Sequence, residues 1–213
     1  DERFFLLETI REYAREQLDG AGERDEVTSR HARHYLDQLR DRGPFVYGPR
    51  RAELLAWFED EEDNLRAALD RLEHAAPEDA AEMAHFLAAY WSPRGELHEA
   101  RERVRNILEN ESVSRRARAR LLEDLAEFEE RLGDHETALT AATEALEVAV
   151  SVNDTETVGF ALYLIASLAT MRGNFREATD LLVRALKEAG NDAWTTALFA
   201  SGLAEVHVHA GHD

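Results

Sequence analysis

The sequence contains no cysteine among its 213 residues, which excludes both a disulfide framework and a thiolate metal site. It contains 4 prolines, and no alternation of apolar and polar residues runs long enough to indicate strands. Apolar residues still make up 44% of the chain, which is enough to form a hydrophobic core. Together these features predict an all-α protein.

Lysine is almost absent. Lys187 is the single lysine, and the other strongly basic residues are arginines. Acidic residues outnumber lysine and arginine by 44 to 25, which gives a net charge of −19. Proteins bind nucleic-acid backbones largely by neutralising phosphates with basic side chains. The acidic excess therefore argues against direct nucleic-acid binding by this chain.

Long apolar runs are missing as well. No stretch approaches the roughly 18 residues that a membrane-spanning helix requires, and no secretory leader is recognisable. We therefore expect a cytoplasmic location and no membrane partner. Because the sequence starts with "DERFF" rather than Met and stops within a repeated pattern, we also expect it to be a segment of a longer protein.

Three similar heptapeptides form the clearest pattern in the sequence. They read RGELHEA at 94–100, LGDHETA at 132–138 and RGNFREA at 172–178, and their glycines are 38 and 40 residues apart. Each glycine is followed five residues later by an alanine. A fixed period of this size predicts one supersecondary unit that is repeated along the chain.

The segment around Gly173 indicates what the unit is. Leu162, Ile165, Ala166 and Ala169 fall at the spacing of one helix face before the glycine. The glycine supplies the backbone freedom needed to leave a helix, and a second apolar stripe follows it. The unit is therefore predicted to be helix, tight turn, helix.

This unit resembles the tetratricopeptide repeat, a helix pair with small residues at its crossing and a Gly-Asp or Gly-Asn turn. The resemblance covers roughly residues 81–213 and implies an all-α, right-handed solenoid of antiparallel helix pairs, with about ten helices in all. Ala138 and Ala178 would lie buried at the crossings, and Pro93 would end the first helix of its pair. The insert VSVND would lengthen a second helix or its loop.

The first part of the chain carries a separate signal. The segments RFFLLETIREYAREQL at 3–18, RHARHYL at 30–36 and WFEDEEDNLRAAL at 57–69 occur in this order. Together they look like the segment that joins the ATPase and winged-helix part of STAND-class bacterial regulators to their repeats. LuxR-type and antibiotic-regulatory transcription activators belong to this class.

That resemblance implies a division of the chain into two parts. Residues 1–75 would be a helical entry segment after a winged helix, in which Arg3 to Leu7 are the remnant of a wing strand. Residues 76–213 would be tetratricopeptide-like repeats, with the last repeat truncated. The ATPase itself would lie upstream, because no glycine-rich phosphate-binding loop occurs here.

The tetratricopeptide pattern also implies which residues face the inner wall of the solenoid. These are set positions of the first helix of each pair: Glu82, His85, Ala89, Arg120, Glu123, Glu127, Glu130, Phe160, Tyr163, Ser167, Thr170, Leu198, Ser201 and Glu205. From them we predict a ligand or partner groove formed by His85, Arg120, Glu123, Glu127, Phe160, Tyr163, Thr170 and Glu205. The alternative is that these positions are only solvated surface.

Other candidate sites have simpler explanations. His207, His209, His212 and Asp213 could bind a metal, but a frayed helix end is the favoured interpretation. We predict packing and surface roles for His31 and His34. We also predict that Ser114 caps the start of a helix and that the arginines after it lie on the surface of that helix. No residue constellation indicates catalysis. We therefore expect no metal, no cofactor and no enzymatic activity.

Two functions remain. The first is a non-enzymatic regulatory and sensor module of a STAND ATPase, which binds a protein, a peptide or a small-molecule inducer. The second is a stand-alone adaptor that grips a peptide. An adaptor for acidic peptides would need lysines and arginines on the inner wall, where Glu123, Glu127 and Glu130 stand instead. The apolar residues Ala200, Leu203 and Ala204 of the last repeat could further support a homo-oligomer.

Overall fold

The protein is described by a computed structural model that covers residues 8–43, 50–190 and 192–211. Within these ranges the chain forms ten α-helices and no strand. The helices are α1 (Glu8–Ala21), α2 (Arg24–Arg42), α3 (Arg51–Ala75), α4 (Pro77–Arg94), α5 (Leu97–Leu108), α6 (Arg115–Leu132), α7 (His135–Val152), α8 (Thr155–Met171), α9 (Phe175–Glu188) and α10 (Ala193–His209). The predicted all-α architecture is confirmed.

The helices are arranged in two layers. Every helix packs against the next one along the chain, and each even-numbered helix also contacts the following even-numbered helix. The even-numbered helices α2, α4, α6, α8 and α10 therefore form one continuous layer, here called the inner wall. The odd-numbered helices from α3 onward cover its back. This is the tetratricopeptide-like solenoid that the repeated heptapeptides predict.

The turns between paired helices follow from their glycines. Gly95, Gly133 and Gly173 have φ angles of 78°, 86° and 78°, in the left-handed region that favours glycine. After Gly133, the backbone N–H of Asp134 donates to the carbonyl of Glu129, and the Asp134 carboxylate accepts from the backbone N–H three residues later. One short motif thus ends a helix and caps the next.

Small residues let the paired helices approach closely. Ala100, Ala138 and Ala178 are each completely buried, as the heptapeptide register predicts. Ala166 of α8 packs in the same cluster as Ala178 of α9. A methyl group at these positions fills the space that a larger side chain would overfill.

Pro93 does not end its helix as predicted. Helix α4 continues through Pro93 to Arg94 and ends at Gly95, whose left-handed backbone makes the turn. A proline so near the end of a helix perturbs few backbone hydrogen bonds, so the glycine sets the boundary. The insert VSVND behaves as expected, because α7 extends to Val152 and Asn153 then turns the chain with a φ of 54°.

The two ends of the chain match the predictions only in part. Residues 8–18 form a helix as expected, whereas the predicted wing-strand remnant at residues 3–7 lies outside the described residues. At the other end, Leu203 is half-buried, while Ala200 and Ala204 are exposed.

The boundary at residue 75 coincides with the break between α3 and α4, but the domain division stays a prediction. Among the described helices, none has the length and apolar character needed to cross a bilayer.

Candidate functional site

All eight predicted groove residues lie on helices of the inner wall. They are His85 on α4, Arg120, Glu123 and Glu127 on α6, Phe160, Tyr163 and Thr170 on α8, and Glu205 on α10. The wall orders them along the solenoid into an acidic cluster between α4 and α6 and an aromatic cluster between α8 and α10. Their role in binding stays a prediction.

The acidic cluster is centred on three residues from two helices. His85 Nδ1 lies 2.9 Å from Asp124 Oδ2, and Asp124 is only 5% exposed. One donor atom from each of His85, Glu123 and Asp124 falls within 4.8 Å of the other two. Glu123 is half-buried, and its carboxylate has no hydrogen bond or ion pair within the described part of the chain.

The pKa shifts of the three groups in this cluster favour their protonated forms. Burial, together with the charges of Asp124, Glu127 and Glu156, raises the pKa of Glu123 well above its usual value. Burial also raises the pKa of Asp124, although the neighbouring imidazole of His85 opposes the shift. Burial by itself would lower the pKa of His85, but the Asp124 carboxylate outweighs it and raises that pKa.

A polar network continues along the wall from this cluster. The Ser92 hydroxyl donates to the Glu127 carboxylate, and Arg131 donates to the Ser92 hydroxyl at 2.8 Å. Arg131 also lies 3.6 Å from Glu127. Burial raises the pKa of Glu127, while its hydrogen bond to Ser92 opposes the shift. One helix turn further on, the Glu130 carboxylate accepts a hydrogen bond from a hydroxyl on α8.

Two more of the predicted groove residues are engaged in structural contacts. Arg120 Nε lies 3.1 Å from a carboxylate oxygen of Asp154, the buried residue that precedes α8. The hydroxyl of Thr170 donates to the carbonyl of Ala166 within its own helix. Arg120 therefore holds α6 to the start of α8, and Thr170 offers less to a ligand than its position suggests.

The aromatic cluster is built around Phe199, which is completely buried. Tyr163 stacks on the Phe199 ring at 5.6 Å between centroids, and Phe160 meets it edge-on at 5.5 Å. Both outer rings are half-buried. Burial raises the pKa of Tyr163, and the charges of Glu130, Glu205 and Glu127 add to the effect. Exposed Glu205 thus lies near the aromatic cluster.

The sequence prediction missed Asp124 and Ser92. Asp124 lies in the apolar stripe of α6, between Leu121 and Leu125, and such positions normally carry packing residues. A carboxylate in an apolar stripe is the signal that could have identified it, because a buried charge needs a partner. Ser92 is similarly buried near the end of α4.

The other sequence candidates have structural roles. His31 lies against the Tyr35 ring, and burial lowers its pKa although a hydrogen bond with Asn64 opposes the shift. The Ser114 hydroxyl accepts from the backbone N–H of Ala117 and so caps α6, as expected. His212 and Asp213, half of the proposed C-terminal metal set, lie outside the described residues.

Comparison with known proteins agrees with this architecture. Residues 117–187 match the family model described as tetratricopeptide repeat. The crystal structure of BtubC (BKLC) from P. vanneervenii has a similar fold, with a TM-score of 0.62 at 19% identity over 93% of this chain and 84% of that one. The chain is thus a tetratricopeptide-like helical solenoid.

Curated relatives suggest a larger context. The chain is 33% identical over 208 residues to proteins named HTH-type transcriptional regulator, Rv0890c of Mycobacterium tuberculosis and Mb0914c of Mycobacterium bovis. The match covers 91% of this chain and 23% of each relative. The chain therefore spans about a quarter of the length of the curated relatives it matches.

Proposed function

We propose that this chain is the non-enzymatic regulatory and protein-interaction segment of a STAND-class ATPase transcriptional regulator. In this proposal the inner wall binds a partner segment or inducer and shifts the equilibrium of the ATPase between its states. The similarity to HTH-type regulators and the entry-segment motifs support the regulator context. The repeat fold supports a binding role, since solenoids present extended surfaces to partners.

The observation that carries the choice of partner is the unpaired carboxylate of Glu123 in the acidic cluster. Asp124, Glu127 and Glu156 add negative charge around it, and Arg120 is held by Asp154. A ligand that brings positive charge would relieve this repulsion, whereas an anionic ligand would increase it. We therefore favour a neutral or cationic partner segment whose apolar part contacts the aromatic cluster.

A peptide-binding experiment tests this charge preference. Fluorescent peptides of equal length, one with alternating lysine and leucine and one with alternating glutamate and leucine, are titrated with the 213-residue chain. We expect the cationic peptide to bind more tightly, and Glu123→Gln with Glu127→Gln to weaken that binding. The matched control is the double variant Glu144→Gln and Glu147→Gln, which removes the same charge from the exposed face of α7.

The two outcomes separate specific binding from general attraction to an acidic protein. Equal loss of affinity in the wall variant and the α7 variant would mean that only net charge matters, and the wall proposal would fail. Tighter binding of the acidic peptide would favour the stand-alone adaptor instead.

The regulator context has its own test, since the coding sequence upstream must contain a phosphate-binding loop and a winged helix.

A further inference from the structure

A mixed imidazole and carboxylate cluster bridges two repeats of the inner wall. His85 belongs to α4, whereas Glu123 and Asp124 are neighbours on α6. Their donor atoms lie within 4.8 Å of one another, and Asp124 is held in place by burial and by its bond to His85. Three potential ligands therefore converge from two helices whose separation the fold already fixes.

We propose that His85, Glu123 and Asp124 bind one divalent transition-metal ion of the zinc type, which links α4 to α6 across the inner wall. This site does not depend on the proposed regulatory function. Zinc holds nitrogen and oxygen donors at about 2.0–2.2 Å in a tetrahedral arrangement, so two of its donors lie about 3.4 Å apart. His85 Nδ1 and Asp124 Oδ2 are already 2.9 Å apart, and the ion would take the place of the hydrogen-bond proton between them.

The unpaired carboxylate of Glu123 is the second observation that points to a ligand. Its half-buried carboxylate has no hydrogen bond or ion pair within the described residues, whereas the neighbouring Glu127 is engaged by Ser92 and Arg131. A dication would balance the negative charge of both carboxylates.

The donor set selects the class of ion. An imidazole ligand suits zinc, copper, iron and nickel, whereas calcium and magnesium prefer sites made only of oxygen. A guanidinium group is a weaker candidate, because one of the three groups that it would contact is an imidazole, which accepts no second hydrogen bond from it and repels it when protonated. Bound metal would fix the angle between two consecutive repeats at the place where the wall is most acidic.

Cobalt and zinc titrations test the proposal on the untagged 213-residue chain after treatment with a chelator. We expect Co²⁺ to bind the metal-free chain with release of protons and to give an intensified visible absorption band at one equivalent per chain. Zn²⁺ should then displace the Co²⁺ and abolish the band. Excess Ca²⁺ or Mg²⁺ should leave the band unchanged. Circular dichroism confirms that each variant is folded.

Three variants locate the site. Glu123→Gln, which removes an unpaired charge and leaves the His85–Asp124 bond intact, should weaken Zn²⁺ binding by more than about tenfold. Glu144→Gln on α7 is the matched control and should bind as the parent does. The double variant His207→Gln and His209→Gln tests the exposed histidines at the end of α10 and should also bind normally.

Either of two results would overturn the assignment. One is a Zn²⁺ affinity that Glu123→Gln does not change, and the other is a signal that disappears with the α10 histidines. If the cationic peptide bound in the presence of chelator and lost affinity in Glu123→Gln while no metal signal appeared, the cluster would belong to the peptide site. The metal site would then be excluded, and the proposed function would stand.

Discussion

His85 Nδ1 and Asp124 Oδ2 are joined by a 2.9 Å hydrogen bond that connects α4 to α6 in the inner wall. Asp124 is nearly inaccessible to solvent, so its charge depends on this imidazole and on the nearby Arg120 for compensation. Glu123, the preceding residue, has no such partner within the described chain. The pair and its neighbour therefore make the stability of the protein sensitive to pH.

The first prediction follows from the sign of these pKa shifts. The pKa of His85 is raised above its usual 6.5, so its contribution is complete below that value and is lost as the pH rises through the native pKa. Glu123 and Asp124 also take up protons on folding, so their repulsion destabilises the native state as the pH rises above their usual values of 4.5 and 3.8. Urea unfolding should give a free energy of unfolding that falls from about pH 5 to about pH 8.

A variant separates this effect from other titrations. Glu123→Gln should flatten the pH dependence, and Glu144→Gln on the exposed face of α7 should leave it unchanged. The lowered pKa of His31 acts in the opposite direction within this window, because the unfolded chain binds that proton more readily. The lowered pKa values of Asp134 and Asp192 also act in the opposite direction, but only below their usual value of 3.8. A parent protein whose stability rises over the same pH range would contradict the assignment.

The second prediction concerns the helix crossing in the last complete pair. Ala178 is completely buried between α8 and α9, so Ala178→Leu must force its neighbours apart. We expect the free energy of unfolding to drop by about 1–3 kcal/mol in chemical denaturation. Ala200→Leu, on an exposed position of α10, is the control and should change stability little. Equal stability of both variants would mean that the heptapeptide register is wrong.

The repeat architecture was predictable because its determinants are local and periodic. Gly133 and Gly173 recur with the same flanking residues, and each needs a backbone conformation that other residues rarely adopt. The site was less predictable, because His85 and Asp124 are 39 residues apart and meet only through packing between repeats. The engagement of Arg120 by Asp154 depends likewise on tertiary structure.

The third prediction concerns an ion cluster on the other side of α6. Glu129 is completely buried, bonds to Arg105 and lies 3.7 Å from Arg101, both on α5. Glu129→Gln keeps the shape but removes the charge that these guanidinium groups face. We expect a loss of about 1.5–3 kcal/mol in the free energy of unfolding, the usual range for hydrogen bonds to charged groups.

Glu136→Gln, at an exposed position of α7, provides the comparison for the Glu129 variant. It should leave the free energy of unfolding nearly unchanged. If Glu129→Gln is as stable as the parent, desolvation of the buried carboxylate offsets the whole attraction, as it can in buried ion pairs.

The final prediction concerns the close approach of α8 and α10 that positions the aromatic cluster. Gly202 lies within α10, where alanine would ordinarily stabilise a helix by about 0.5–1 kcal/mol. A methyl group there would meet the Tyr163 ring at 2.9 Å and Leu182 at 3.3 Å, so the ring must move. We expect Gly202→Ala to destabilise the protein, whereas Gly20→Ala in α1, which has open space, should be neutral or stabilising. Chemical denaturation gives the sign of the change in the free energy of unfolding for Gly202→Ala. Stabilisation would mean that α10 does not pack as closely against Tyr163 as the structure shows.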